Sequence, residues 1–275
     1  MAQSISRKTI AVLGAGKMGS ILLRAWLQQR LVSSRNALAT VAHAEKARSL
    51  RREMRIPVTT ENRAAAERAD VILLGVKPQA VQSVLEEIRT AVTSRKLVIS
   101  FAASVPTQFI ENGLQAQIPV VRAMPNTPCS VGAGMTGLCQ GRFANASHLE
   151  TAQQLFEAAG KCVIVDEKHM DAVTGLSASG PAFAYIILES FAEAGVKVGL
   201  PRDISTLLAS QMLLGASRQV LDTGDHPALL KDAVTTPAGC TIDGILELEE
   251  GKLRVTLIKA VVKATQRARE LLLDQ

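Results

Sequence analysis

The sequence predicts an α/β protein: an N-terminal doubly wound parallel sheet followed by an all-helical C-terminal region that serves oligomerisation. Three observations predict it. Short β-rich apolar runs alternate with helical patterns from residue 9 to about 165, the signature of a parallel sheet covered on both faces. A glycine-rich turn follows the first of those runs. Beyond Asp166 no strand run recurs, and helical patterns fill the rest of the 275 residues. We place the domain boundary between 166 and 167, giving domains 1–166 and 167–275.

The elements follow in order. Thr9–Leu13 is a short β-rich run, and Lys17–Arg30 has helical spacing. Ala37–Ala42 is a second run, followed by a helix over Glu45–Met54. Val71–Val76 is a third, followed by Gln79–Arg89. Leu97–Phe101 and Pro119–Met124 are the fourth and fifth. Ser147–Gly160 reads as a helix and Lys161–Val165 as a last strand. The C-terminal helices are expected at 181–196, 202–222, 226–234, 241–250 and 252–273, with Gly224 and Gly251 as stops. Segments 204–221 and 253–264 are so apolar that a small domain could not hide them alone, which implies an obligate oligomer.

Composition removes several function classes. The chain has six Phe, one Tyr and one Trp, too few aromatic platforms for single-strand nucleic-acid binding. The net charge of +6 permits a polyanionic partner without requiring one. Arg48, Arg51, Arg52 and Arg55 recur at helical spacing beside Lys46, which reads as a solvated helix face rather than a nucleic-acid patch. Cys129, Cys139, Cys162 and Cys240 form no C-x-x-C pair, and the four His supply no metal-ligand spacing. No metal is expected, and a reduced, cytoplasmic setting is the simplest reading. No apolar stretch approaches a membrane span, and Ser6–Leu13 suits a buried strand entering a turn better than a signal peptide.

Gly14-Ala15-Gly16-Lys17-Met18-Gly19 contains G-x-G-x-x-G between a strand pattern and a helix, the context of a Rossmann-like dinucleotide site. Gly14 permits a tight turn, Gly16 a close backbone approach to a pyrophosphate, and Gly19 close helix–strand packing. Free N–H groups at the helix start meet the phosphates. The first domain is therefore read as dinucleotide-binding. The end of the second strand, Ala39-Thr40-Val41-Ala42-His43-Ala44, holds no acid before Glu45, whereas His43, Lys46 and Arg48 lie just beyond. An acid there would bond a ribose 2′-hydroxyl, so its lack leans towards NADPH over NADH.

Three further segments rich in Gly, Pro, Ser and Thr are candidate site elements. Met124–Pro128 follows the fifth strand, where a doubly wound sheet lines its ligand crevice, yet it is equally a good turn. Gly175–Pro181 reads by itself as a helix start. Thr235–Ile242 is a small-residue turn feeding a helix, with hydroxyls at 236 and 241. That arrangement suits a carboxylate, and equally suits simple N-capping by either threonine.

In this order, the three segments resemble the pyrroline-5-carboxylate reductase family. The resemblance also covers Val76–Pro78, Ser100–Ala103, Asp171–Ser177, Gly195–Pro201, His226–Val234 and, most specifically, Thr235–Glu249. It implies NADPH- or NADH-dependent reduction of the cyclic imine 1-pyrroline-5-carboxylate to proline. Matching of motifs puts the cofactor against Gly14–Gly19, Thr40, Asn62, Val76, Lys77, Pro78, Ala102, Ala103 and Asn126, with Lys77 acting through its backbone. It puts the substrate carboxylate at Thr236, Ala238, Gly239, Cys240 and Thr241, and makes Thr241 the candidate hydrogen-bonding partner near the imine nitrogen. It further implies a homodimer through the helical domain, assembling as five pairs in a ring. There are two departures: Ala238 replaces a glycine of the family's closing turn, and Ala178 replaces another in its Ser-Gly-Ser-Gly-Pro element.

The residues narrow the rivals. The only tyrosine, Tyr185, is followed at position 189 by Glu, which excludes a Tyr-x-x-x-Lys dehydrogenase. A β-hydroxyacid dehydrogenase would place a lysine four residues after Gly180, where Ala184 stands. Alcohol oxidation needs that base, whereas an imine can arrive already protonated. A non-catalytic NADP-binding sensor fits poorly with intact hydroxyls at 236 and 241, and reduction of another cyclic imine is the alternative within the same chemistry.

Overall fold

The computed structural model describes residues 5–271. Its contacts divide them into two compact units, residues 5–179 with 263–271, and Gly180–Val262.

The first unit is an eight-stranded sheet in the order β3-β2-β1-β4-β5-β6-β7-β8. The strands are β1 Ile10–Leu13, β2 Ala37–Thr40, β3 Val58–Thr59, β4 Val71–Leu74, β5 Leu97–Ser100, β6 Val120–Met124, β7 Gly134–Gln140 and β8 Gly160–Ile164. The first six run parallel; β7 pairs antiparallel to β6 and parallel to β8. Every residue of β1, β2, β4, β5 and β6 is buried, as expected of strands covered on both faces. Helices α1 Lys17–Gln28, α2 Ala44–Met54, α3 Asn62–Arg68, α4 Val81–Ile88, α5 Thr107–Leu114 and α6 Ala146–Glu157 supply that cover, and a short helix α7, Met170–Val173, follows β8.

Side-chain alternation sorts the core into two layers. Ile10 and Val12 of β1 join Leu22, Trp26, Leu50, Leu155 and Phe156 on the face covered by α1, α2 and α6. Ala11 and Leu13 join Ala66, Val84, Leu85, Ile88 and Ile110 on the face covered by α3, α4 and α5. Trp26 is fully buried, and its indole N–H donates to Leu155 O at 2.6 Å, so the one tryptophan both fills the core and ties α1 to α6.

Five strands and α-helices go beyond the sequence expectation: β3, α3, α5, β7 and α7. The antiparallel β7 also makes the sheet mixed rather than wholly parallel. The other expected strands and helices are present with ends shifted by a few residues.

The second unit is helical: α8 Gly180–Lys197, α9 Arg202–Thr223, α10 Pro227–Ala233, α11 Cys240–Glu250 and the first part of α12 Leu253–Glu270. Its interior is minimal. Among the described residues of α8 to α11 only Ala192, Ser205 and Ala209 are buried. Tyr185, Ile186, Leu207, Leu214, Leu246 and Ile258 are each about 60% exposed or close to it. A monomer with this much apolar surface needs a partner to cover it. Among the described residues no helix is long and apolar enough to cross a membrane.

Candidate active site

In a doubly wound sheet the ligand crevice opens at the carboxyl ends of the strands, where the strand order reverses about β1 and β4. The cofactor candidates of the first unit gather there. Gly14 takes φ +81°, in the left-handed region. A side chain on it would strike Val76 of the loop after β4. Gly75 N donates to Leu13 O at 2.8 Å, which brings Val76, Lys77 and Pro78 beside the glycine turn. A side chain at Gly75 would meet Phe101 and the carbonyl of Gly14, so the loop carrying Ala102 and Ala103 closes on the same point. Gly19 lies where a methyl group would crowd Val12 at 2.9 Å, which confirms its part in helix–strand packing.

Gly16 differs. A Cβ there would find only Gly14 O, at 3.9 Å, so the space beside it is open to a ligand. Gly16 is also the N-cap of α1 and supplies no side-chain cap. The first N–H groups of a helix have no intrahelical partner, so Lys17, Met18 and Gly19 present donors to that space. This open cradle fits a dinucleotide pyrophosphate.

Thr40 ends β2 and is almost wholly buried. Its carbonyl accepts from Ala15 N at 2.7 Å and its hydroxyl from Gly14 N at 3.1 Å. The same hydroxyl donates to Asn62 Oδ1 at 2.6 Å. Thr40 and Asn62, two of the residues matched from the family, are thus hydrogen-bonded to each other and to the turn. The helix face at Arg48, Arg51 and Arg52 is exposed; Arg51 Nη2 donates to Val58 O at 2.5 Å.

After β5, Ser104 is buried with φ +63°, and its hydroxyl has no partner among the described residues. A non-glycine residue in this conformation costs roughly 1–2 kcal/mol, and such strain clusters at functional sites. Sequence reasoning did not single out Ser104; a serine gives no signal of its backbone angle.

Asn126, after β6, is committed to structure. Its Oδ1 accepts from Met135 N at 2.9 Å and its Nδ2 donates to Ser177 O at 3.2 Å. The second bond has a covalent reason. Residues 174–178 form a π-helical turn closed by Ser179 N donating to Thr174 O at 2.9 Å. Ser177 O would next look to residue 181, but Pro181 has no N–H. Asn126 supplies the missing donor. The Met124–Pro128 loop and the Gly175–Ser179 segment, each ambiguous in sequence, therefore meet.

Arg122 on β6 is a residue that sequence reasoning missed. It is buried, with Nη1 at 3.6 Å from Glu167 Oε1 and Nη2 at 3.3 Å from Asp171 Oδ1. Glu167 also accepts from Thr107 N and Thr107 Oγ1, both at 2.7 Å. The cluster fastens residues 167–171, which lead into the π-turn, to β6 and to the start of α5. The available signal was a single charge inside the apolar run Val120–Met124.

In the second unit, residues 235–241 form a tight turn into α11. Gly239 N donates to Thr236 O at 3.1 Å, and Thr235 Oγ1 donates to Lys231 O at 2.8 Å. Ala238 has φ +55°, the left-handed conformation a glycine would take without strain. Gly239 is the N-cap of α11 and gives no side-chain cap, so Cys240, Thr241 and Ile242 offer their N–H groups outward. Among the described residues neither Thr236 nor Thr241 caps the helix with its side chain, which leaves both hydroxyls free of that structural role. Thr236, Ala238 and Cys240 are exposed, and Thr241 is partly buried.

Cys129, Cys139 and Cys162, the cysteines of the first unit, make poor nucleophiles. Burial pushes Cys139 up to about 12, helped by the nearby Glu167 charge, and Cys162 up to about 12, helped by Glu157. Burial also raises Cys129. Among the described residues no group of three His, Cys, Asp or Glu is placed to hold a metal.

The comparisons with known proteins agree with this geometry. Residues 167–271 match the family model described as pyrroline-5-carboxylate reductase dimerisation, and residues 9–104 match NADP oxidoreductase coenzyme F420-dependent. A pyrroline-5-carboxylate reductase of Methanosarcina acetivorans is 40% identical, covering 97% of this chain and 99% of the relative. The structure of a Coxiella burnetii pyrroline-5-carboxylate reductase superposes with a TM-score of 0.89 at 34% identity, covering 96% of this chain and 98% of the other. The Plasmodium falciparum enzyme, solved with NADP bound, gives 0.87 at 28% identity, with the same coverage. The open glycine cradle, the helix N-terminus at 239–241 and these near full-length matches place the chain in the pyrroline-5-carboxylate reductase family.

Proposed function

We propose that the protein reduces 1-pyrroline-5-carboxylate to proline with NADPH as the preferred cofactor and NADH as the alternative. The observation that carries the reading is the turn at 235–241: an uncapped helix N-terminus with two unspent hydroxyls, in a chain that a 40% identical relative matches over 97% of its length. Outward N–H groups and hydroxyls suit a carboxylate. Thr236, Ala238, Gly239, Cys240 and Thr241 are assigned to the substrate carboxylate, and Thr241 to the hydrogen bond near the imine nitrogen.

Gly14, Ala15, Gly16, Lys17, Met18, Gly19, Thr40, Asn62, Val76, Lys77, Pro78, Ala102, Ala103 and Asn126 are assigned to the cofactor. Asn126 acts by holding the loop after β6 rather than through an uncommitted amide. The reduced nicotinamide supplies a hydride to the imine carbon, and the nitrogen carries the proton. A substrate that arrives protonated needs no strong side-chain acid, which accounts for a turn without Lys, His or a carboxylate. The protein contributes positioning, a term worth several kcal/mol.

We assign residues 1–166 to cofactor binding and 167–275 to substrate binding and dimerisation. The exposed apolar helices fit a homodimer, which we extend to a ring of five pairs, working in the cytoplasm on a small-molecule substrate. The test is product analysis: purified protein, imine and NADPH should yield proline and oxidised cofactor in equal amounts. Cofactor oxidation without proline would reject the assignment.

A further inference from the structure

Cofactor choice in a doubly wound fold is read at the end of the second strand, where an acid accepts from a ribose 2′-hydroxyl and repels a 2′-phosphate. The β2 end of this chain has no acid in sequence, but the fold brings one from elsewhere. Asn62, the first residue of α3, donates from Nδ2 to Glu87 Oε2 of α4 at 2.7 Å. Its other end accepts from the Thr40 hydroxyl at 2.6 Å, and that hydroxyl accepts from Gly14 N at 3.1 Å. A continuous chain of three hydrogen bonds therefore joins an exposed carboxylate to the phosphate-binding turn.

The direction of the chain follows from the carboxylate. An ionised carboxylate accepts only. Asn62 must turn its NH2 towards Glu87 and its carbonyl oxygen towards Thr40. The Thr40 hydroxyl must then donate to Asn62, which leaves its lone pairs for Gly14 N–H. Glu87 thus sets the polarity of every link, while its other oxygen stays free to accept. Among the described residues no other carboxylate is hydrogen-bonded into this chain.

We propose that Glu87 is the acid that β2 lacks: a positioning and specificity residue that fixes Asn62 and, by its charge beside the β2 end, restrains the preference for a 2′-phosphorylated dinucleotide. The proposal rests on the dinucleotide reading above. It accounts for the otherwise odd presence of a carboxylate next to two matched cofactor residues. It also means that the lack of an acid in residues 39–44 overstates the lean towards NADPH.

The test is binding, independent of turnover. NADPH and NADH are titrated separately into the full-length protein, with nicotinamide fluorescence giving each Kd. The proteins are wild type, Glu87→Gln, Asn62→Ala and the double variant. Glu87→Gln should move the ratio of the two affinities towards NADPH by roughly three- to tenfold, as expected for one partly screened charge. Asn62→Ala releases Glu87, so in that background the shift should shrink below about twofold. Equal weakening of both dinucleotides by Glu87→Gln would show a mere clamp between helices and overturn the proposal. A shift undiminished by Asn62→Ala would overturn it too, because Asn62 would then not be what holds the charge beside the β2 end. Wild-type protein that binds neither dinucleotide would instead reject the underlying site assignment. Melting temperatures of the variants, measured alongside, separate loss of binding from loss of fold; should Glu87→Gln unfold, Glu87→Ala at the same exposed position carries the same comparison.

Discussion

Ala238 shows how a single methyl group carries information. It stands where the family pattern has glycine, and the structure places it at φ +55°. The left-handed conformation disfavours a Cβ by roughly 1–2 kcal/mol, partly offset by the flexibility a glycine adds to the unfolded chain. Ala238→Gly should therefore raise stability by up to about 1 kcal/mol, seen as a higher melting temperature. A lower melting temperature would mean that the turn is not strained. Thr241→Ala should lower kcat/KM for the imine by roughly 10- to 150-fold, the loss of one hydrogen bond to a charged group, with NADPH affinity nearly unchanged. Unchanged kinetics would remove Thr241 from the site. At this scale the sequence was most legible where a residue type has one physical use, as with Gly14 and Gly19. It was least legible at Ser104 and Glu87, whose roles depend on a backbone angle and on a helix packed beside a distant strand.

The elements that the sequence announced are those with a long apolar run or a long periodic pattern. Those it hid are short or interrupted. Strand β3 is only Val58–Thr59, and β7, Gly134–Gln140, is broken by glycine at both 134 and 137. Glycine weakens a strand signal, yet here it is required, because a side chain at Gly137 would strike Val173. Helix α3 is seven residues long and is held at its end by Lys96, whose Nζ donates to Ala66 O, Glu67 O and Ala69 O at 3.0, 2.9 and 2.6 Å. Lys96→Met should cost about 1–3 kcal/mol of stability by leaving those carbonyls without their donor. Helix α6 begins with a reciprocal cap in which His148 Nδ1 accepts from Asn145 N at 3.1 Å and Asn145 Oδ1 accepts from His148 N at 3.2 Å. Burial, with a smaller effect from Lys8, lowers the His148 pKa. The unfolded chain therefore binds the proton more readily than the folded one. Its contribution is present above the ordinary imidazole value of about 6.5 and is lost as pH falls through the lowered folded value. His148→Gln keeps an acceptor for the cap and should flatten that acid-side loss in a pH series of melting curves.

At the scale of the whole molecule, the two halves solve burial differently. The sheet hides β1, β2, β4, β5 and β6 between two helical layers, whereas α8 to α11 bury little beyond Ala192, Ser205 and Ala209. That contrast was legible in the sequence, because apolar segments 204–221 and 253–264 exceed what one small helical unit can enclose. What encloses them was not legible, since apolar surface names no partner; the dimerisation model matching 167–271 supplies that identity. Sedimentation of the wild type should show an oligomer, and Leu207→Asp, which puts a charge on the exposed apolar surface, should shift it towards smaller species. The measurement that tests the central claim most directly is the fall in absorbance at 340 nm with purified protein, 1-pyrroline-5-carboxylate and either NADPH or NADH. The six-membered homologue and, in reverse, a β-hydroxyacid run beside it. The account predicts rapid oxidation with the five-membered imine and none of the reverse alcohol reaction. Dinucleotide binding without imine-dependent oxidation would contradict it.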